Sequence, residues 1–450
     1  MSAETMSPAE APRHSYAGFL KNNIREYGML ISLIVIMLYF QFATDGRLFQ
    51  PDNLTNIVQQ RGYIVVMALG MLMIIVAGHI DLSVGWLCGF LGAVAAILMV
   101  DHGVPWYLAV LATLVFGGMV GAVQGYAVAY LHIPSFIVTL AGMLIFRGLT
   151  LYVLGGRNVG PFPPELATLL TGFFPDLSGR MADPIAPHLE TLRLVVAPYA
   201  LAAVEAWNRL TESASLLPKI EWTPVLTRQE TTGDISSTSL GIATVVVAMM
   251  LANAFAARVK LVRQDMQTEP FVFFLLKTLA IAGMLFYLAY LFATYRGLPN
   301  VFVIMGLLIA LYSFVTTRTT VGRRVYALGG NEKAAKLSGI NTERLVFLAF
   351  VNMGVLSALA GMMFATRLGW ATPKSGDGFE LDVIAACFIG GASASGGVGT
   401  VLGAVIGAFI MGVMNNGMSM MGIGIDWQFI IKGSVLFLAV FLDVYNKKKG

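Results

Sequence analysis

The stretch TRTTVGRRVYALGGNEKAAKLSGINTER, Thr317–Arg344, is polar and basic, and apolar segments flank it on both sides. Its reading decides the fold. A chain with 57% hydrophobic residues gathers 28 water-compatible ones only where it leaves an apolar medium. Within the stretch, Asn331 is placed to cap a short helix and Glu332 suits the positive first turn. Gly339 can end that helix in a left-handed conformation. Between those signals lie Ala334 and Ala335, small enough for another backbone to come close. The expectation is a capped two-turn helix that presents a docking surface beside a membrane.

Composition supports this setting. Charged residues make up 12% of the 450, where soluble proteins carry about 25%. The mean hydropathy is +0.75, and the 48 glycines suit closely packed membrane helices. An all-α polytopic membrane protein is expected, with interrupted or re-entrant helices. The net charge of +4 is small and its basic residues sit at loop ends, so nucleic acid is a poor partner for them. Cys88 and Cys387 each lie in an apolar run, with neither metal spacing nor a disulfide framework.

A crossing needs about 20 largely apolar residues. Ten segments qualify: Tyr27–Ala43, Gly62–Gly78, Leu82–Val100, Trp106–Leu131, Ser135–Leu154, Leu240–Ala257, Pro270–Ala293, Asn300–Thr316, Leu345–Thr366 and Trp427–Val444. Leu381–Met414 is interrupted by the glycine-rich Gly390–Gly399, so it makes two short crossings or one crossing plus a re-entrant piece. The count is ten to twelve, with twelve preferred. A weak internal echo accompanies it: Gly78–Gly89 and Gly391–Gly403 both place a glycine-bounded break before a Gly-x-x-x-Gly.

Lysine and arginine in the short loops set the orientation. With the N-terminus inside, the inner side collects Arg13, Lys21, Arg25, Arg258, Lys260, Arg263, Arg318, Arg323, Arg324, Lys333, Lys336, Arg344, Lys447, Lys448 and Lys449. The outer loops hold Arg47, Arg61, Arg296, Arg367 and Lys374. Fifteen against five makes both termini cytoplasmic. The division expected is a cytoplasmic segment 1–26, a first transmembrane bundle 27–154, a long periplasmic loop 155–239 and middle transmembrane helices 240–317. A cytoplasmic segment 318–344, a C-terminal bundle 345–444 and a tail 445–450 follow. Within the long loop, Ala186–Ser215 reads as a helix lying on the membrane surface.

Signals for enzymatic chemistry are nearly absent. There is no Gly-x-x-x-x-Gly-Lys-Ser/Thr, so the chain is not expected to bind and hydrolyse ATP in the P-loop manner. The five histidines show no metal spacing. No series of buried acids is visible, which argues against a proton-driven carrier. Asp81, with Ser83 beside it, reads either as a functional acid or as a cap for a helix starting at Leu82. Arg147 is expected to pair inside the bundle and Lys277 to snorkel. A neutral polar substrate wants amides along a water-filled path, and Gln59, Gln60, Asn56, Gln124, Asn352, Asn415 and Asn416 are available. The same residues serve equally as interhelical hydrogen bonders. The candidate path is Asp81, Ser83, Gln60, Asn415 and Asn416.

Three islands in order carry a family likeness: GHIDLSVG at Gly78–Gly85, GRRVYALGGNEKAAKLSGIN at Gly322–Asn341, and GFELDVIAACFIGGASASGGVGTVLGAVIGAFIMGVMNNGM at Gly378–Met418. The chain resembles sugar permeases of ATP-binding-cassette importers, in the xylose-type branch of the ribose/xylose permease family. That resemblance implies a permease homodimer, a separate ATPase subunit that uses ATP, and a periplasmic sugar-binding protein. It also implies the bacterial inner membrane, contact with lipid, and no cofactor bound by this chain. The implied coupling residues are Arg323, Arg324, Asn331, Lys333, Ala334, Ala335, Leu337, Gly339 and Ile340. Lys333 departs from the Glu of the broader superfamily, and the 155–239 loop is unusually long. Xylose is the implied sugar, with ribose or arabinose as alternatives. A stand-alone secondary carrier is the competing class.

Overall fold

A computed structural model describes residues 24–177, 179–182, 202, 234–264 and 270–449. The expected surface helix Ala186–Ser215 lies outside the described residues, apart from position 202, and so does most of the segment 1–26.

The chain opens with α1 (Ile24–Ala43), a short 3-10 turn (Arg47–Phe49) and α2 (Pro51–Val76). The helix α2 begins eleven residues before its expected start at Gly62. Pro51 occupies the first turn, where its missing N–H costs nothing, and Asp52 suits the helix dipole there. The polar residues that follow are satisfied inside the protein, which a hydropathy window cannot detect. α3 (Val84–Ala96) runs on through a π-helical turn at Ile97–Asp101, and α4 (Trp106–Ala129) and α5 (Ser135–Leu154) follow.

Next comes a short α6 (Pro164–Thr171), then β1 (Arg180–Ala182) paired antiparallel with β2 (Asp234–Ser236). α7 (Ser237–Arg263), α8 (Phe271–Tyr295) and α9 (Asn300–Arg318) lead to the short α10 (Thr320–Gly330) and α11 (Glu332–Leu337). The chain ends with α12 (Thr342–Leu368), α13 (Phe379–Ile389), α14 (Val401–Met420) and α15 (Ile425–Lys449).

Among the described residues, ten helices are long and apolar enough to cross a membrane. α13, with 11 residues, is too short to do so alone. The segment that contains it nevertheless passes from one end of the bundle to the other. Ala371 pairs with Val159 at one end. Near the other, the Gly397 N–H donates to Val76 O at 2.9 Å. Between them the chain descends as irregular backbone and then as α13. The descending backbone lies against α3 so closely that a Cβ on Gly89 would overlap Ser375 O, and one on Gly376 would overlap Gly85 O.

Adding α1 and this half-irregular crossing to the ten gives twelve, and residues 24 and 449 then lie at the same end. We call that the inner end; it carries α10, α11 and the breaks 77–83 and 390–400.

α2 is the axis of the core. Ile64, Met67, Leu69, Met71, Leu72, Ile74 and Ile75 are among the largest fully buried side chains. α12 lies across α4 with almost no side chain between them. A Cβ on Gly117 or Gly121 would crowd the carbonyl of Gly354 or Phe350. Small residues at four-residue spacing allow this contact, and membrane helices gain dispersion energy from it. The outward faces of α4, α5, α7, α8 and α15 are covered with exposed Leu, Ile, Val and Phe, as lipid requires.

Two side-chain expectations are corrected. Arg61 is no loop residue: it lies ten residues inside α2 and only partly exposed, so the outer loops hold four basic residues rather than five. Arg147 is not paired with an acid among the described residues. It stands on the exposed face of α5 with its guanidinium 5.2 Å from the centre of the Trp86 ring.

Candidate functional site

At the inner end, local chemistry builds the knob as its sequence suggests. Thr319 caps α10 by accepting from Gly322 N, and the buried Gly322, Val325 and Leu328 hold the helix down. Arg323 and Arg324 point outward, exposed. Asn331 Oδ1 accepts from Ala334 N at 3.0 Å and starts α11. Gly339, at φ +79°, ends it.

The closing bonds run from Ile340 N to Ala335 O and from Gly339 N to Lys336 O, the pair that satisfies the last carbonyls of a helix. Asn341 then caps α12 through Arg344 N, and Lys336 pairs with Glu343 at 2.6 Å. That carboxylate holds the Lys336 ammonium above its ordinary value.

One expectation at the knob is reversed. Ala334 and Ala335 do not share a docking surface. Successive residues on a helix point about 100° apart, and Ala335, 4% exposed, faces its own chain. The outward surface includes Lys333, Ala334 and Leu337, the last 90% exposed, beside the exposed Glu332 and Lys336. Ile340 is half-buried.

The far end of α10 clasps both breaks at once. A Cβ on Gly329 would overlap Val76 O, and one on Gly397 would press on Gly330 and Gly329. One on Gly396 would press on Gly78. The Tyr326 hydroxyl donates to Gly399 O at 2.7 Å. On the other side of the 390–400 loop, Asp443 of α15 accepts from Ser393 Oγ at 2.8 Å. The two echoing sequence segments therefore meet under the basic stretch.

Asp81 and Ser83 are fully buried. Asp81 Oδ1 accepts from Ser83 N at 2.8 Å and from Ser83 Oγ at 2.7 Å, while Gln124 donates to Ser83 Oγ at 2.8 Å. The helix begins at Val84 rather than Leu82, and the carboxylate stabilises the turn that enters it. Both lie buried at a junction of the break with α4, and Asp81 Oδ2 makes no hydrogen bond among the described residues. Asn352, another amide suspect, accepts from the Tyr312 hydroxyl.

A second polar centre surrounds the first turn of α13. The Asp382 carboxylate takes Lys432 of α15 at 3.0 Å and Arg61 of α2 at 3.6 Å. It also accepts from Asn415 Nδ2 of α14 at 3.0 Å. Asn53 and Asn416 exchange amide hydrogen bonds at 3.2 and 3.1 Å. Gln60 is half-buried, and Gln59 donates to Thr171 O. Glu380, 9% exposed, lies against Gly85.

Sequence reasoning found Asn415, Asn416 and Gln60 but missed Arg61, Glu380, Asp382 and Lys432. Besides Asp81, two further acids, Glu380 and Asp382, are buried in one helical turn, and among the described residues they do not form a chain across the bundle. The signal was present: Glu-Leu-Asp at positions 380–382 introduces an otherwise apolar run, and ionisable groups at membrane depth are functional suspects.

The family described as "Branched-chain amino acid transport system / permease component" matches residues 53–214 and 234–440. The chain is 36% identical over 438 residues to the "Xylose transport system permease protein XylH" of Escherichia coli K12, covering 97% of this chain and 95% of that protein. The protein of the same name from Haemophilus influenzae is also 36% identical, over 95% of this chain and 98% of its own length. The "Ribose import permease protein RbsC" of Escherichia coli K12 is 30% identical, over 96% and 97%. No solved structure matches the chain. Ten long apolar helices, two breaks clasped at one end and a family match over most of the length lead to one conclusion: this multi-pass membrane protein is a permease and belongs to the branched-chain amino acid transport system permease family.

Proposed function

We propose that the chain is the membrane permease of an ATP-driven monosaccharide importer of the bacterial inner membrane, with xylose as its sugar. The observation that carries this reading is the end-to-end likeness to two xylose permeases. The weaker likeness to a ribose permease, 30% against 36%, ranks ribose second. Both termini and the α10–α11 knob are cytoplasmic, supported by the count of basic residues on that side. An ATPase subunit docks on Lys333, Ala334 and Leu337, with Arg323 and Arg324 at the rim. A periplasmic sugar-binding protein meets the outer end, and two permease copies work together in lipid.

Mechanically, ATP is used by the partner alone. Movement of the knob reaches the breaks 77–83 and 390–400 because α10 touches both through backbone. Those breaks are where the interior can open to one side or the other. Reconstitution tests the reading. Proteoliposomes holding the permease, the ATPase subunit and the binding protein should accumulate xylose only with ATP. Uptake driven by an ion gradient without the ATPase would instead make the chain a secondary carrier.

A further inference from the structure

Around Asp382, the hydrogen-bond account does not close. The carboxylate meets Lys432, Arg61 and Asn415, but its hydrogen bonds fall on Oδ2, and Oδ1 has only the ion pair with Lys432. Four buried atoms of this centre, Arg61 Nε, Asn415 Oδ1, Asp382 Oδ1 and Glu380 Oε2, make no hydrogen bond among the described residues. The arginine nitrogen is a donor and the three oxygens are acceptors. A buried group left in this state costs about 1–3 kcal/mol. Charged groups within a bundle are retained where they serve a path or a ligand.

The approach to the cluster is polar as well. Asn53, Asn56 and Gln60 are spaced i, i+3, i+7, so they share one face of α2 from its outer end down to Arg61. All three are half-buried, and Asn56 and Gln60 form no side-chain hydrogen bond among the described residues. Arg61 lies about 15 Å along the helix from that end at 1.5 Å per residue. Beside it, the rings of Tyr63, Phe364 and Phe379 pack with centroids 4.9–5.0 Å apart and form an apolar wall.

We propose that this face of α2, together with Asn415 and the ion cluster, is a binding site within the permease for a neutral polyol. A hydroxyl both donates and accepts, so it satisfies Asn415 Oδ1 and one of the free amides, while a second hydroxyl accepts from Arg61 Nε. An anion would satisfy the arginine but would face Asn415 Oδ1 and the Asp382 carboxylate unfavourably. Asn415 and Gln60 read the hydroxyls. Asp382 and Lys432 are positioning residues that fix the arginine. The inference rests on the reading that the chain carries a sugar, and it adds the residues that recognise one inside the membrane.

The test uses the full chain in lipid nanodiscs and saturation-transfer NMR with three probes: D-xylose, xylitol and the anionic xylonate. Transfer to xylose should appear, be competed by xylitol, and exceed transfer to xylonate. Gln60→Leu and Asn415→Leu should each reduce it about fivefold, the worth of one hydrogen bond. Gln60→Leu removes no existing hydrogen bond, so the melting temperature should not change, which separates recognition from folding. No transfer from the wild-type chain, undiminished transfer in both variants, or preference for xylonate would each overturn the site. ATP-driven import provides the separate control. If wild-type import fails while the xylose signal stands, the importer reading is lost and the site is retained; the reverse outcome removes the site alone.

Discussion

The two ends of α13 are held by opposite physics. Its inner end runs into the 390–400 loop, which touches α10 and the 77–83 break largely through glycine backbone, with the Tyr326 hydroxyl as the one side-chain bond from α10 among the described residues. Its outer end is held by one carboxylate shared between an arginine, a lysine and an amide from three other helices. A backbone contact at van der Waals distance has one arrangement and passes displacement on unchanged. A charge cluster with free donors and acceptors can hydrate and exchange partners. The first suits transmission from the knob, and the second suits handling a polar solute.

The sharpest way to break this contrast is at the clasp. Gly329→Val would drive a side chain into Val76 O, while a Cβ on the neighbouring Gly330 meets nothing within 4 Å. Import by Gly329→Val should therefore be abolished. Gly330→Ala should stay within about twofold of wild type, as substitutions in open space do. Equal behaviour of the two would remove the clasp from the mechanism.

At the other end, Asp382→Ala leaves Arg61 and Lys432 without their shared anion. Breaking a buried pair this way costs about 3–5 kcal/mol, to be read as lowered thermal stability in detergent. Stability close to wild type would mean that hydration already carries the cluster.

A smaller effect tests the knob itself. Asn331→Ala removes the cap on α11 and should cost about 1 kcal/mol of local order. That corresponds to roughly fivefold weaker capture of the ATPase subunit, with xylose binding unchanged. Smallest of all, Asn53→Ala breaks the amide pair with Asn416. The expected loss is about 0.6 kcal/mol, the average for hydrogen bonds between membrane helices. A large loss there would shift weight from the ion cluster to the amides above it.

The knob was legible because its determinants are local. Asn331 caps a backbone N–H three residues away and Gly339 closes a turn on Ala335 and Lys336, so spacing alone suffices. The orientation of Ala335 was not legible. Small size says only that something can come close, and which surface does so depends on what lies beneath α11. Asp81 was narrowed to two readings, and the structure adds that it is buried with Oδ1 bonded to Ser83 and Oδ2 without a hydrogen bond among the described residues. Arg61 was misplaced because a hydropathy window treats a charge as a loop signal, whereas this charge is neutralised by a residue far along the chain.

From the sequence alone came the medium, the crossing segments, the capped knob and the family likeness. Each rests on composition or on spacing within a few residues, and those quantities are written directly in the order of side chains. Tertiary structure alone decided that the two glycine breaks meet under α10, that 370–389 crosses partly without a helix, and that Asp382 gathers Arg61, Asn415 and Lys432. Those are contacts between distant segments, and their free energy depends on which helices lie side by side.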